Sequence, residues 1–455
     1  MVEIISKMLA NNKFSAIKEM LSEMNVVDIA ALIEEMEPEN QVRLFRLLPK
    51  TSSADAFSYL PGDIQGNIVD AITNSELEFL MEDMFLDDAV DFLEEVPANV
   101  VTRVLAHTKP DTRKLINKFL QYPENSAGSI MTIEMVSFPE TYTVKQAIEM
   151  IRKTALDKET IYTCYCMDDK RKLVGTVPLR KLIVAPENQI VKDIMEDDEQ
   201  LIFVNTMDDQ EEVAAIAKKY DLLSIPVVDK EERLVGIITI DDIVDVIEDE
   251  NTEDFEKMAL LLPSEDSYLK TGIFTLYKNR IVWLLILMVS ATFTGQIIEG
   301  FEDKLSMIAG LTASIPMLMD TGGNCGNQVS TLVIRGLALG DIHIKDFFKI
   351  IWKEIRVAVL CGLTLAVVNY VRMWIIKLVT HNDISSNTFI VVCLAMICAV
   401  IVAKVIGCAL PILAKLLHLD PALMAGPMIT TIVDALTLLI YFGFATLFIN
   451  GGLLV

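Results

Sequence analysis

The stretch that decides the reading is Pro316-Met317-Leu318-Met319-Asp320-Thr321-Gly322-Gly323-Asn324-Cys325-Gly326-Asn327-Gln328. It begins inside a long apolar run, then meets a carboxylate, Asp320, and a glycine-rich polar break from Thr321 to Gln328. Hydrocarbon offers backbone groups no hydrogen-bond partners, so irregular backbone at membrane depth survives only inside protein or around a wet cavity. An ionisable residue at such a break points to a transport pathway. One further carboxylate, Asp434, sits in the last apolar run. The simplest reading is a cation pathway.

Outward from that stretch, composition divides the chain. Its 455 residues are 52% hydrophobic yet carry a net charge of -25. From Thr271 onward there are 12 basic and 10 acidic residues; the 27 basic and 54 acidic residues before it hold nearly all the negative charge. A hydrophobic, almost neutral half follows a strongly acidic, water-soluble half. The acidic half repels nucleic acid and anionic lipid and attracts cations. Five of the seven cysteines fall in the apolar half as small packing residues, and Cys164-Tyr165-Cys166 lacks zinc spacing, so no disulfide framework is expected. Glu3, Lys7 and Lys13 break the apolar positions of the N-terminus, which therefore does not read as a signal peptide.

Residues 1–127 read as short helices punctuated by Pro38, Pro49, Pro61, Pro97 and Pro110. The spacing fits a helix-turn unit of about 12 residues with two prolineless turns, hence a helical-repeat superhelix. An ordinary bundle is the alternative. From Ser129 to Glu248 the pattern becomes strands alternating with helices, and it occurs twice. Leu173-Val174-Gly175-Thr176-Val177 recurs as Leu234-Val235-Gly236-Ile237-Ile238. Each copy is preceded by a helix, Val144 to Lys153 and Gln210 to Lys219, and followed by a short one, Leu179 to Val184 and Asp241 to Ile247. Ile225-Pro226-Val227-Val228-Asp229, a charged turn and Leu-Val-Gly-Ile resemble the cystathionine β-synthase (CBS) domain. A tandem pair, 128–190 and 191–248, implies a regulatory module with a cleft for a small effector. Thr239 and Asp242 match the Thr-x-x-Asp ribose motif of nucleotide-binding members; the first copy departs from it at Val177-Pro178-Leu179-Arg180. A nucleotide such as ATP in a CBS cleft is therefore one expectation.

Residues 249–272, acidic first and apolar later, read as an amphipathic connecting helix or a solvated spacer. Five apolar segments follow within 273–455, at 279–298, 304–338, 350–379, 387–416 and 423–449, each long enough to span a bilayer. Lys278, Arg280, Arg335, Lys345, Lys349, Lys353, Arg356 and Lys415 cluster on one side; Glu299, Glu302, Asp303, Lys304 and Asp383 lie on the other. The positive-inside rule makes the soluble half cytoplasmic and puts the C-terminus outside a multi-pass cytoplasmic-membrane protein surrounded by lipid. The fold class is thus a multidomain membrane protein: an all-α helical-repeat domain, an α/β tandem pair and a five-helix transmembrane domain.

In the last segment Pro427, Thr430, Thr431, Asp434, Thr437 and Tyr441 share one helical face. A midplane Asp costs roughly 2.5–3.5 kcal/mol to insert. Its ring of hydroxyls suits a wet lumen; the alternative is an ion pair with Lys404, the obvious mid-span cation. The candidate ligands are hard oxygens with no His or Cys at ligand spacing, which disfavours zinc, copper and iron. So few carboxylates suit an ion that keeps its waters, as Mg²⁺ does, with Mn²⁺ and Co²⁺ still open.

In this order the domains resemble the MgtE magnesium transporters over essentially the whole chain. The matching motifs are Asp320-Thr-Gly-Gly-Asn324-x-Gly326-x-Gln328, Ser330 to Ala338, and Asp420-Pro421-Ala422-Leu423 with Thr431-x-x-Asp434. The resemblance implies a homodimer with its pore on the two-fold axis and Asp434 binding hydrated Mg²⁺ near Thr430. Asp320 would be a ligand or a brace; Asn324, Gly426, Pro427 and Thr431 would line the pore. Some members have Asn at the position of Gly426. The resemblance also implies sensor carboxylates at Asp87, Asp91, Asp209, Glu211, Asp221, Asp242, Asp245, Glu250, Glu253 and Asp254. Acids crowded across a domain interface repel unless divalent ions neutralise them, so cytosolic Mg²⁺ would compact the sensor and close the gate. The rivals are a gradient-coupled divalent-cation transporter and a membrane-anchored CBS sensor without a pore. Four scattered histidines and the lack of a P-loop argue against an enzyme or a nucleotide-driven pump.

Overall fold

Proline sets the rhythm of the N-terminal region. In the computed structural model, which describes residues 1–450 except 197–200, 265–267, 270, 302–310, 381–384 and 425, helices begin at residues 2, 14, 26, 38, 50, 62, 74, 86, 98 and 110. The repeat is 12 residues throughout, from α1 (Val2–Ala10) to α10 (Pro110–Phe119), ten helices among the described residues. Pro38 and Pro110 open their helices, and Pro49, Pro61 and Pro97 sit one position earlier. The first turn of a helix leaves its N–H groups unpaired anyway, so proline costs nothing there and presets φ. At one prolineless turn Thr73 and Glu76 form a reciprocal capping box; at the other, Phe85 leads into α8 (Leu86–Glu95). Helices pack mainly on their second neighbours, which makes a superhelix of repeats rather than a bundle. Phe57 and Phe92 meet edge to face in its core.

Two three-stranded sheets follow. The first joins β1 (Met135–Pro139), β2 (Thr160–Met167) and β3 (Leu173–Pro178), with α11 (Val144–Thr154) and α12 (Leu179–Val184). The second joins β4 (Val204–Asn205), β5 (Ser224–Val228) and β6 (Leu234–Thr239), with α13 (Gln210–Tyr220) and α14 (Ile240–Met258). In each, the first pairing is parallel and the second antiparallel. The repeated glycines serve an exchanged contact. A Cβ on Gly236 would lie 2.7 Å from the Thr132 carbonyl, and one on Gly175 2.7 Å from that of Glu196. The segment before the first copy thus seats on the second sheet, and the segment before the second copy on the first. The Tyr165 hydroxyl and Ser224 Oγ, 2.7 Å apart and buried, tie the copies together.

The chain divides into two units, Met1–Ile247 and Glu248–Val455. The expected separate connecting helix is instead the continuation of α14 to Met258, because no breaker interrupts residues 240–258. The second unit holds α15 (Ile273–Gly300), α16 (Leu311–Ala338), α17 (Phe347–Thr380), α18 (Ser386–Leu416) and α19 (Gly426–Asn450). Among the described residues four helices, not five, are long and apolar enough to cross a membrane. The fifth, α16, carries Asp320, Thr321, Asn324, Asn327 and Gln328 and is too polar to face lipid alone; it is packed between α18 and α19. The expected glycine-rich break is absent as well: Thr321 to Gln328 is helical throughout. In water each glycine would cost about 1 kcal/mol in a helix. At membrane depth an open backbone costs several times more, and glycines let helices approach closely. Glu302, Asp303, Lys304 and Asp383 of the charge argument lie outside the described residues.

Candidate functional site

Gly322, Gly323 and Gly326 form one face of α16, set against α19. A Cβ at Gly322 would fall 2.6 Å from Thr437 Oγ1, at Gly323 2.8 Å from Thr430 Cγ2, and at Gly326 3.0 Å from Ile429 Cγ2. The same Gly323 position is 3.6 Å from Asp434 Oδ1. The two helices therefore touch backbone to side chain, and Asp434 is delivered onto the glycine face. Its Oδ1 is buried and has no hydrogen-bond partner. A buried acceptor left unpaired in low dielectric calls for a cation or a proton. Asp320 is near enough for its charge to be felt at Asp434. Lys404, the competing partner, lies 3.6 Å from Glu354 instead.

The hydroxyls sort into two groups. Thr430 donates to the Gly426 carbonyl at 3.0 Å and Thr431 to that of Pro427 at 2.8 Å, so both keep oxygen lone pairs free at a half-buried surface. Thr437 is buried against Gly322, and Tyr441, fully buried, donates to the Leu311 carbonyl at 2.8 Å. Those two belong to packing rather than to the polar surface expected of them. Asp320, Asn324 and Gln328 recur every fourth residue on α16 and are exposed.

Below Asp434 the chain turns at Gly426, whose φ of +49° favours glycine. A side chain there would meet the Met258 carbonyl at 2.7 Å. The Gly426 N–H donates to Asn327 Oδ1 at 3.0 Å, and Ser330 Oγ donates to the Met424 carbonyl at 3.1 Å. The end of α14 is seated at this turn. Lys257 bridges Glu253 at 2.6 Å and Asp420 at 2.8 Å, and Arg335 donates to Asn251 at 2.8 Å. Burial lowers Lys257; its bonds to Asp420 and Glu253 outweigh that and hold it well above its ordinary range. Asp254 is raised by burial, then by Asp420.

A second gathering of carboxylates lies in the first unit. Asp87, Asp88 and Asp91 on α8 face Asp241 and Asp242 at the start of α14, with Glu159 beside them. Asp87 is 8% exposed and raised well above the carboxylate range by burial, then by Asp88 and Asp242. Burial, followed by Asp242, pushes Asp88 up to about 6. Burial, followed by Asp241 and Asp88, pushes Glu159 up to about 7, and its Oε2 is buried without a partner. Asp242 is pushed up to about 6 by burial despite the Thr239 hydroxyl, which donates to it at 2.7 Å. Asp91 is raised by burial, then by Asp242 and Asp88, although its own side chain reaches the surface, where water screens it.

Of the sensor residues read from the sequence, the fold brings together Asp87, Asp91 and Asp242. Asp209 caps α13 by accepting from the Glu211 N–H, and Asp221 ends the same helix at φ +51°, so these two stand at its opposite ends. Asp245 is exposed, Glu250 half-buried, and Glu253 is engaged by Lys257. Among the described residues no three His, Cys, Asp or Glu side chains are gathered tightly enough to hold a metal ion.

The family profile described as a divalent cation transporter matches residues 315–444, the MgtE intracellular N domain matches 24–125, and the CBS domain matches 127–188 and 191–249. The magnesium transporter MgtE of Thermus thermophilus is 35% identical over 440 residues, 96% of each chain. The chain belongs to the MgtE family. The magnesium transporter MgtE of Bacillus subtilis is 31% identical over 448 residues, 98% of this chain and 96% of its own. The solved cytosolic domain of the Mg²⁺ channel MgtE in complex with ATP is 36% identical, with a TM-score of 0.51, over 54% of this chain and all of its own.

Within the MgtE framework, sequence reasoning missed Asp88, Asp241 and Glu159. Asp88 and Asp241 adjoin residues it named, and that adjacency was a usable signal. Nothing local marks Glu159, which reaches the group through the turn into β2.

Proposed function

We propose that the chain assembles as a homodimer that conducts Mg²⁺ inward across a cytoplasmic membrane, and that cytosolic Mg²⁺ closes it. The observation that carries this is Asp434 Oδ1, buried and unpartnered on the glycine face while Lys404 is paired with Glu354. Asp434 and Thr430, with Asp320, form the ion site, lined by Asn324, Gly426, Pro427 and Thr431. Hard oxygens and a single buried carboxylate per chain suit an ion that keeps its waters; Mn²⁺ and Co²⁺ are the competing cargoes. The exposed Asp320, Asn324 and Gln328 support the dimer, because a polar stripe at membrane depth needs a second copy or water beside it, not lipid.

The sensor is the crowd of Asp87, Asp88, Asp91, Asp241, Asp242 and Glu159, with Asp209, Glu211, Asp221, Asp245, Glu250 and Asp254 as further sites. Divalent ions relieve its repulsion and stabilise the form in which α14 seats against the Gly426 turn. The domain limits are 1–127, 128–190, 191–248, 249–272 and 273–455, with the C-terminus outside. ATP is the second ligand, at Thr239 and Asp242, because the ATP-bound neighbour shares 36% identity over this region. Asp242 then serves nucleotide and sensor alike.

The test is Mg²⁺ flux into proteoliposomes at fixed voltage, with Mg²⁺ on the cytoplasmic side stepped from micromolar to about 10 mM. Voltage-driven flux that internal Mg²⁺ shuts is expected. Flux that requires a Na⁺ or proton gradient would replace the channel with a coupled transporter, and folded protein without flux would leave an anchored sensor.

A further inference from the structure

Lys404 is a buried cation in the middle of α18, 5% exposed, that conduction does not use. Its counter-ion is Glu354 of α17, at 3.6 Å, with side chains 7% and 17% exposed. Lys404 lies on the helix that packs against the glycine face, and Glu354 lies one helix further out. A Cβ on Gly326 would touch the Ala403 carbonyl at 3.3 Å and Val433 Cγ2 at 3.2 Å. Lys404 and Asp434 each follow one of those residues, so they stand at one level of the bundle, on neighbouring helices packed against α16.

We propose that Glu354 is a positioning residue for conduction: by pairing with Lys404 it keeps a tethered ammonium off the Asp434 carboxylate. An unpaired buried cation is costly, so Lys404 must find an anion. The helices α16 to α19 carry three carboxylates, Asp320, Glu354 and Asp434. With Glu354 neutral, the two that remain are those of the ion site. The flexible four-carbon stem of lysine is able to redirect, and its ammonium then competes with Mg²⁺ for the same oxygen. Glu354 in this reading never touches the permeating ion.

The inference rests on Asp434 being the ion site, so Asp434→Asn is measured in parallel. Uptake is recorded against external Mg²⁺ in proteoliposomes for full-length Glu354→Gln, Lys404→Gln and the double variant, each checked for folding by gel filtration and melting. Competition by the lysine raises half-saturating Mg²⁺ about tenfold in Glu354→Gln, with maximal flux recovered at high Mg²⁺. The double variant returns to within about twofold of the parent, as does Lys404→Gln alone.

Unchanged half-saturation in folded Glu354→Gln overturns the proposal. So does a double variant as impaired as the single one, since the pair would then act through packing. If Glu354→Gln does not fold, the double variant decides: parental half-saturation upholds the role and a raised value overturns it. If Asp434→Asn conducts normally, the ion-site reading falls; if Asp434→Asn is dead and Glu354→Gln is normal, only the guarding role falls.

Discussion

Asp434 stands as the single carboxylate of its helix, with Lys404 of the neighbouring helix engaged by Glu354 and Asp320 the one other carboxylate whose charge reaches it, whereas Asp87, Asp88, Asp91, Asp241, Asp242 and Glu159 crowd one another across the first unit. Both arrangements attract a divalent ion, for different reasons. The lone group has an oxygen with nothing to bond, and an ion is drawn by a local deficit. The crowded groups repel, and an ion is drawn by a strain spread over several side chains. A lone site suits transit, because an ion held by few ligands leaves easily. A crowd suits sensing, because its occupancy changes how two domains fit.

The sharpest way to break the comparison is Asp434→Asn. A hydrogen bond or contact to a charged group is worth about 1.5–3 kcal/mol, so flux in proteoliposomes is expected to fall about 10–100-fold while the protein stays folded. Residual flux near the parental level would remove solitude as the principle of the site. Next comes Gly323→Ala, which places a methyl group 2.8 Å from Thr430 Cγ2. Forcing α16 and α19 apart costs about 1–3 kcal/mol, read as a lower melting temperature together with reduced flux.

The crowd is probed by pH. Asp88 and Asp242, pushed up to about 6, and Glu159, pushed up to about 7, hold protons in the folded unit that the unfolded chain releases near its ordinary carboxylate values. In metal-free buffer the stability of that unit therefore falls as pH rises from about 4 through about 7. The melting midpoint of full-length protein in chelator is expected to be on the order of 5 °C higher at pH 5.5 than at pH 8. Saturating Mg²⁺ shrinks that difference; a midpoint indifferent to both would dissolve the crowd as a sensor. The smallest effect is expected of Lys257→Gln, which removes the bridge from Glu253 to Asp420. A half-buried pair of this kind is worth about 1 kcal/mol, so internal Mg²⁺ needed for half-closure rises about fivefold.

Much of this architecture is legible in the chain. Five prolines announced the 12-residue unit, and the two silent turns fell at Thr73, whose side chain caps the helix that follows, and at Phe85, which precedes α8 without a side-chain cap. The twofold Leu-Val-Gly motif placed β3, β6 and the helices α11, α12 and α13 to within a residue, whereas β1, β2 and β4 were not placed and α14 runs on past the expected Ile247 to Met258. The glycine-rich stretch was misread because glycine signals a break in water and a contact face in hydrocarbon; Gly322-x-x-x-Gly326 carried the second meaning. The pairing of Lys404 with Glu354 joins positions 50 residues apart on different helices, and no local pattern encodes it. The same holds for Glu159, whose place depends on how α8 meets the first sheet.

The uniform pitch of the N-terminal helices has an evolutionary consequence. Each helix is one rung of an array in which every cap recurs 12 residues on. Such an array changes length in quanta. Removing a full rung of 12 shortens it by one step and leaves every remaining proline at a helix entrance. Removing a single residue moves all later caps off register and buries the wrong faces. Insertions and deletions that survive selection in this region should therefore come in multiples of one rung, and the array is best regarded as a ruler whose divisions natural variation must respect.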